Sequence, residues 1–128
     1  VMPGLAANDF GDSIRFGAST AAEDEKDLSR VTMSLELFET YTEGFLSACG
    51  ARLTQAEIDT LPMGAKLMTL ECGSRFLADY LNGDIYFHVS REGHNLDRAR
   101  TQMKLVADME DKWDRMNAIV QEAAQKVR

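Results

Sequence analysis

A long helical pattern at the centre of the chain, between residues 61 and 82, constrains the fold more than any other feature. Pro62 suits the first turn of a helix, and Asn82-Gly83 suits the end of one, because both of these residues tolerate a left-handed backbone. Between the two signals, apolar residues recur at steps of three and four positions, so they share one helical face. The members of this row are Leu67, Leu70, Ser74, Leu77 and Leu81.

The rest of the chain also favours helices. Its 128 residues include only two prolines and are rich in Ala, Leu, Met, Glu and Lys, which suit helix interiors. A chain of this length can bury one hydrophobic core. Because no internal repeat, low-complexity tract or linker is visible, we expect residues 1–128 to form a single all-α unit of about four to five helices.

Local signals place the helices before the central one. Thr32 or Ser34 can cap a helix that closes at Gly50. Thr54 and Glu57 then form a capping box, so a short helix is expected before Pro62.

The two ends of the chain carry further helical patterns. Residues 5–16 predict a first helix in which Gly11 costs about 1 kcal/mol relative to Ala, which suggests a close backbone approach. At the other end, Asn95 is expected to cap a long last helix. One apolar stripe runs along that helix from Leu96 to Val120.

Charge and cysteine content limit the class of protein. The net charge of −7 argues against a nucleic-acid backbone or an anionic membrane as the main partner. No apolar run reaches transmembrane length and nothing at the start resembles a signal peptide, so we expect a cytoplasmic protein. Cys49 and Cys72 are isolated within apolar patterns, which favours two reduced, buried thiols over a disulfide or a metal pair.

Acidic residues and histidines form no recognisable metal or catalytic motif. The run Glu23-Asp24-Glu25 is typical of a solvated loop or of a helix start. His88 and His94 lie in a predicted loop without the spacing of helical metal ligands. Since no Ser/His/Asp set, Cys/His set or phosphate-binding glycine loop is recognisable, we expect neither a catalytic residue nor a metal site in this chain.

Two candidate binding residues flank the end of the central helix. Arg75 lies inside the helix and Tyr86 lies just beyond its end, so both side chains can point to one spot. Guanidinium and phenol groups bind hydroxyls and phosphates well, which allows a small polar ligand. The alternative, which periodicity alone favours, is an ion pair of Arg75 with Asp79 or Asp84.

A family resemblance adds to this interpretation. The chain resembles the C-terminal part of the aminoglycoside-phosphotransferase-like small-molecule kinases, and most closely their N-acetylhexosamine 1-kinase branch. The motifs that carry it are Val-Met-Pro-Gly-Leu at residues 1–5, Asp-Phe-Gly-Asp-Ser-Ile-Arg-Phe-Gly at 9–17, Ala-Ala-Glu-Asp-Glu at 21–25, Arg-Phe-Leu-Ala-Asp-Tyr-Leu-Asn-Gly-Asp-Ile-Tyr-Phe at 75–87 and Asn-Leu-Asp-Arg-Ala-Arg at 95–100.

The resemblance implies a helical substrate-binding subdomain from the C-lobe of a two-lobed, protein-kinase-like enzyme. Such a kinase transfers the γ-phosphoryl group of ATP, with Mg²⁺, to the anomeric hydroxyl of an N-acetylhexosamine. The family's catalytic aspartate, metal-binding aspartate and nucleotide-binding lobe precede the region matched here. We therefore expect this chain to be a C-terminal fragment that is inactive alone, binds neither ATP nor Mg²⁺, and has the missing N-terminal part as a partner.

The same resemblance implies that Arg75 and Tyr86 contact the sugar, with Asp79 and Asp84 in a supporting role that orients Arg75. It also implies that Asp9, Asp12 and Arg15 hold the first helix against the missing catalytic loop.

Two alternatives to the sugar kinase remain. A kinase of the same superfamily can act on a choline-like or aminoglycoside substrate. The chain can also be an independent helical module that binds a partner, or forms a homodimer, through exposed apolar surface such as the stripe from Leu96 to Val120.

Overall fold

The structure is a computed structural model that describes residues 3–127. Six α-helices make up most of these residues, and the described part of the chain contains no strand, so the predicted all-α class is confirmed. The helices are α1 (Pro3–Gly17), α2 (Leu35–Cys49), α3 (Gln55–Asp59), α4 (Leu61–Leu81), α5 (His94–Asp111) and α6 (Trp113–Lys126), with 3-10 turns at Leu28–Arg30 and Gly50–Arg52. Within residues 3–127, every helix is too short or too polar to span a membrane.

Helix α4 lies at the centre of the fold, between α1 and α5. A Cβ atom added at Gly11 would lie 2.3 Å from the carbonyl oxygen of Gly64, and one added at Gly64 would lie 2.3 Å from the carbonyl oxygen of Ala7. The predicted close approach at Gly11 is therefore confirmed. On the other flank, a Cβ atom at Gly73 would lie 2.8 Å from Met103 of α5.

The buried face of α4 carries only one of its leucines, Leu61. Ala65, Thr69 and Phe76 point into the protein, together with the two glycines that contact α1 and α5. The row formed by Leu67, Leu70, Ser74, Leu77 and Leu81 lies on the solvent side. Helix α4 is buried on this face because its small residues allow α1 and α5 to approach closely.

The main core is formed by all six helices, and α4 contributes Leu61 and Ala65 to it. Phe10 packs edge-to-face against Phe38 and Phe45, with ring centroids 5.8 and 5.2 Å apart. Large side chains from the other helices complete the core, namely Leu46, Ile58, Met109, Met116 and Val120.

The predicted helix signals before α4 are confirmed. Ser34 caps α2 by accepting a hydrogen bond from the Leu37 N–H at 3.2 Å. Thr54 and Glu57 form the expected capping box, with hydrogen bonds of 3.1 and 2.9 Å in the two directions. These signals could be identified from sequence because each involves residues only a few positions apart.

The prediction of one long C-terminal helix was wrong, because the chain bends at Lys112 between α5 and α6. The Lys112 ammonium donates to the Met33 carbonyl at 2.7 Å and pairs with Asp108 at 2.6 Å. The apolar stripe faces inward on both helices, where Ala99, Val106, Met116 and Val120 are buried.

Residues 18–34, which we call the connector, join α1 to α2 and are built into the core. Val31 and Met33 are fully buried, and Ser19 forms an isolated antiparallel bridge with Met33. The Asp108 carboxylate accepts a hydrogen bond from the Met33 N–H at 2.7 Å, and the Lys104 ammonium donates to the Val31 carbonyl at 3.0 Å.

Candidate functional site

Arg75 and Tyr86 lie together at the C-terminal end of α4. The guanidinium carbon of Arg75 is 5.8 Å from the ring centroid of Tyr86 and 5.9 Å from that of Phe87. All three side chains line one shallow hollow of about 280 Å³, which Ala78, Asp79 and Asn82 complete. The sequence-based expectation that Arg75 and Tyr86 point to one spot therefore agrees with their placement.

The 82–93 loop, defined as residues 82–93 between α4 and α5, brings Tyr86 back toward Arg75. Asn82 ends α4, and Gly83 and Asp84 follow with φ angles of 96° and 61°. A positive φ is uncommon for Asp, although its short polar side chain makes it more tolerant than most. The Asp84 N–H donates to the Asp79 carbonyl at 2.8 Å, which closes the turn.

The Asp79 carboxylate holds the middle of this loop. It accepts hydrogen bonds from the backbone N–H groups of Tyr86 at 2.7 Å and Phe87 at 3.0 Å. The residue is only 6% exposed, and burial alone would raise its pKa. Hydrogen bonds from the two N–H groups and from Asn95 outweigh burial, so the pKa of Asp79 is lowered from its ordinary value.

Asn95 connects the loop to α5, and its predicted capping role is wrong. Its side-chain amide donates to Asp79 at 2.8 Å and to Asp84 at 3.0 Å. The position before α5 is taken by Gly93, and Asn95 is fully buried as the second residue of the helix. The side-chain oxygen of Asn95 accepts a hydrogen bond from the Arg98 guanidinium at 2.9 Å, so both the nitrogen and the oxygen of the side-chain amide are bonded.

The carboxylates therefore support Tyr86 rather than Arg75. Within residues 3–127, no hydrogen bond or ion pair joins Arg75 to Asp79 or Asp84, which corrects both the expected ion pair and the expected orienting role. The Arg75 guanidinium lines the hollow and lies beside the adjacent rings.

Aromatic rings form one wall of the hollow. The Phe87 ring packs against Phe76 at 4.7 Å and against Tyr86 at 4.9 Å between centroids, so the buried Phe76 anchors the exposed rings. A cation beside two ring faces can bind a hydroxyl-bearing or anionic ligand through its N–H donors while the rings cover an apolar surface.

The acidic run does not behave as the solvated loop that the sequence predicts. Glu23 pairs with Arg15 at 2.8 Å, and its carbonyl accepts a hydrogen bond from the buried Thr101 hydroxyl. Asp24 pairs with Arg91 at 3.6 Å. The run is therefore bound to α1 and α5, and Arg15 holds the connector, not only its own helix.

A Ser, a His and an Asp meet in an order that sequence analysis did not recognise. The His94 Nε2 lies 2.8 Å from Asp24, and the Ser90 hydroxyl lies 3.5 Å from Nδ1 of the same ring. The backbone N–H of Ser90 already donates to Nδ1 at 3.2 Å, so this nitrogen is not available to accept a proton from the hydroxyl. We interpret the cluster as a link between the connector and the start of α5.

A second, larger hollow of about 400 Å³ lies between α1 and α2 and is mainly apolar. Phe10, Tyr41 and Phe45 form its walls, and Gly44 leaves space at its edge. The Ser13 and Thr40 hydroxyls beside it donate to carbonyls of their own helices. It therefore offers few free polar groups, and the sequence carried no signal for it.

Cysteines and other potential metal ligands do not converge in the described part of the chain. Cys49 and Cys72 are both free and half-buried, and burial raises the pKa of each thiol. Among residues 3–127, no group of three or more His, Cys, Asp or Glu side chains is arranged to hold a metal ion. No protein family model matches the chain.

Proposed function

We propose that this chain is the acceptor-binding helical part of a phosphotransferase that acts on an N-acetylhexosamine at its anomeric hydroxyl. In this proposal Arg75 and Tyr86 are the sugar contacts. The observation that carries it is the shared hollow, in which a guanidinium without an ion-pair partner in the described residues faces two aromatic rings. The resemblance of residues 75–87 to the sugar-kinase motif supports the same assignment.

The size of the hollow favours a monosaccharide. A volume of about 280 Å³ is at the lower limit of ligand sites, where one sugar ring fits better than an oligosaccharide or a three-ring aminoglycoside. The Arg75 donors suit ring hydroxyls and the acetamido carbonyl, while the Tyr86 and Phe87 faces suit the C–H groups of the sugar.

The positive charge of Arg75 weighs against cationic acceptors. Choline-like and aminoglycoside substrates carry ammonium groups, which such a site would repel. The one carboxylate that lines the hollow, Asp79, already accepts hydrogen bonds from two backbone N–H groups and from Asn95. We therefore rank a neutral sugar above these alternatives.

The chain's own contribution to phosphoryl transfer is positional. In the resembling kinases ATP and Mg²⁺ belong to the part that precedes the matched region, and such reactions depend on holding the acceptor in line. Residues Asp79 and Asn95 would act indirectly, by holding the loop that carries Tyr86.

A titration of the ¹⁵N-labelled chain with N-acetylglucosamine and N-acetylgalactosamine tests the proposal. We expect saturable shifts of the Tyr86, Phe87 and Asn82 amides with these sugars, and none with choline. Arg75→Ala should abolish or weaken the shifts by roughly tenfold or more. Arg115→Ala removes an exposed arginine on α6 and is the matched control.

Absence of saturable shifts with every N-acetylhexosamine would overturn the sugar assignment. When the segment is joined to a nucleotide-binding lobe, Arg75→Ala should raise the KM for the sugar more than it lowers kcat, because the contact is with the acceptor. A KM equal to that of the parent enzyme would exclude Arg75 from the site.

The alternative of an interaction module through the stripe from Leu96 to Val120 has less support. Ala99, Val106, Met116 and Val120 of that stripe are buried inside the chain. Apolar surface is available elsewhere, on α4.

A further inference from the structure

A small polar cavity lies where α1, the connector and α5 meet. Its volume is about 30 Å³, and it shares no lining residue with the hollow at Arg75. Three segments supply its walls, so a molecule bound in it can contact all three. The lining residues are Arg15 and Phe16 of α1, Ser19, Ala21 and Glu23 of the connector, and Gln102 of α5.

Gln102 brings an unpaired polar atom to this cavity. The residue is only 2% exposed, and its side-chain oxygen accepts no hydrogen bond from any group in residues 3–127. A buried oxygen without a donor destabilises the folded state, so native proteins nearly always supply one. Because the described part of the chain supplies none, the geometry favours a donor on a bound molecule.

The unpaired atom is the oxygen of the amide and not its nitrogen. The side-chain nitrogen of Gln102 donates to the Thr101 hydroxyl at 3.4 Å. That hydroxyl has one proton, which it donates to the carbonyl of Glu23 or of Arg98, so it can only accept from Gln102. Exchanging the two ends of the amide would place its oxygen against an oxygen that has no proton to give. The free oxygen is therefore fixed on the side of the amide away from Thr101.

Two further side chains at the cavity can bond a small polar molecule. The Ser19 hydroxyl donates to the Ala21 carbonyl at 3.1 Å and accepts from the N–H of the same residue at 3.4 Å, which leaves one lone pair on its oxygen. The Arg15 guanidinium has five N–H donors, of which a bond to Glu23 at 2.8 Å uses one and a bond to Asp12 at 3.3 Å uses another. Besides the free amide oxygen, the cavity therefore offers both an acceptor and a donor.

A single water molecule fits this cavity better than an ion does. A volume of about 30 Å³ is room for one water, whose protons and lone pairs match a mixed set of acceptors and donors. The Arg15 guanidinium would repel a metal cation, and the Glu23 carboxylate would repel an anion. Buried waters typically make about three hydrogen bonds to protein groups that otherwise lack a partner. Gln102, Ser19 and Arg15 can supply that number.

We propose that this cavity is a binding site for one ordered water, which donates to the Gln102 side-chain oxygen and bridges it to Ser19 and Arg15. The water is a structural ligand that joins α5 to the connector and to α1. The proposal is independent of the sugar assignment, because different residues line the cavity and the hollow.

A high-resolution crystal structure of the 128-residue chain is the most direct test. We expect one water oxygen at about 2.5–3.0 Å from the Gln102 side-chain oxygen, and within hydrogen-bond distance of Ser19 or Arg15 as well. A cavity without a water between well-ordered walls, or one closed by a different Gln102 rotamer, would overturn the proposal.

Oxygen-17 relaxation dispersion tests the same site in solution. Its amplitude counts long-lived water molecules and has no contribution from the hydroxyl protons of the protein. Ala21→Leu enlarges a side chain at the wall of the cavity and should expel the water, so the amplitude should fall by the equivalent of one molecule. Ala22→Leu changes the neighbouring exposed alanine and should leave the amplitude unchanged. An equal amplitude in the parent chain and in Ala21→Leu would contradict the site.

A double-mutant cycle measures what the water contributes to stability. In the parent chain Gln102→Met removes a bonded oxygen, so the equilibrium constant for unfolding should rise by about tenfold. In the Ala21→Leu background that oxygen has lost its water, so the same change should raise the constant by less than about twofold or lower it. The bond from Gln102 to Thr101 is lost in both backgrounds and cancels. Equal effects in the two backgrounds would overturn the proposal, and Ala21→Val replaces Ala21→Leu if the larger side chain alters the helical circular dichroism spectrum.

Discussion

The connector and the 82–93 loop are both irregular segments beside the candidate site, but they are held by different forces. The connector buries Ala18, Val31 and Met33 completely, so it is part of the hydrophobic core. The loop leaves Ile85 82% exposed and Tyr86 73% exposed. The part of the loop that carries Tyr86 and Phe87 is held by hydrogen bonds to Asp79 and by the packing of Phe87 on Phe76. The comparison teaches that a segment of the core resists local change, whereas the Tyr86–Phe87 part of the loop can open without the core.

The largest effect is expected from Asp108→Ala, which would break the link between the connector and α5. The Met33 N–H would lose its acceptor, and Lys112 would lose its ion pair. We expect the free energy of unfolding to fall by about 2 kcal/mol, because a buried donor is left without a partner. Urea denaturation measures the change. Asp111→Ala at the end of α5 is the control, and an equal loss in both variants would contradict the account.

Asp79→Ala is expected to lower the free energy of unfolding less than Asp108→Ala does, but to disturb the 82–93 loop more. The Tyr86 and Phe87 amides lose their acceptor, so their protection from hydrogen exchange should fall while that of the core helices is kept. Sugar-induced shifts should be lost as well. If the core and the loop lost protection together, the loop would be part of the core and the comparison would fail.

Lowering the pH should affect the loop in the same way as Asp79→Ala. Because the folded-state pKa of Asp79 lies below its ordinary 3.8, the stabilisation is present above that value and is lost as the pH falls through the lowered pKa. We expect the Tyr86 and Phe87 amide resonances to change only as the pH falls below 3.8. Asp79→Asn should remove this transition, whereas a transition that persists would assign it to another group.

The smallest effect is expected from Tyr86→Phe. The ring keeps its packing on Phe87 and its place beside Arg75, so stability should change by less than about 0.5 kcal/mol. If the hydroxyl binds the sugar, affinity should fall by about three- to tenfold in a titration. An unchanged affinity would restrict the role of Tyr86 to its ring.

The sequence predicted the features that depend on near neighbours. The caps at Ser34 and Thr54 and the end of α4 at Asn82 follow from residues within one turn. The close approach at Gly11 was also predicted, because glycine destabilises a helix interior unless a close contact requires it.

Features that depend on distant residues were missed. The break at Lys112 has neither Gly nor Pro to mark it and is fixed by Met33, which lies 79 positions earlier. The inward face of α4 is set by glycines, which an apolar-periodicity search does not count. The placement of Arg75 beside Tyr86 was anticipated, but Asp79 and Asn95 were not identified as the residues that hold the loop.

The contact between Gly11 and Gly64 affects the position of Arg75 in the candidate site. Arg75 lies 11 residues beyond Gly64 on the same helix, which is about 16 Å along the axis. A rotation of α4 about its contact with α1 would therefore displace Arg75. A side chain added at either glycine would tilt α4 relative to α1. A tilt of roughly 5° would displace Arg75 by about 1.4 Å. Misalignment of that size is enough to impair binding at a site that neither glycine touches.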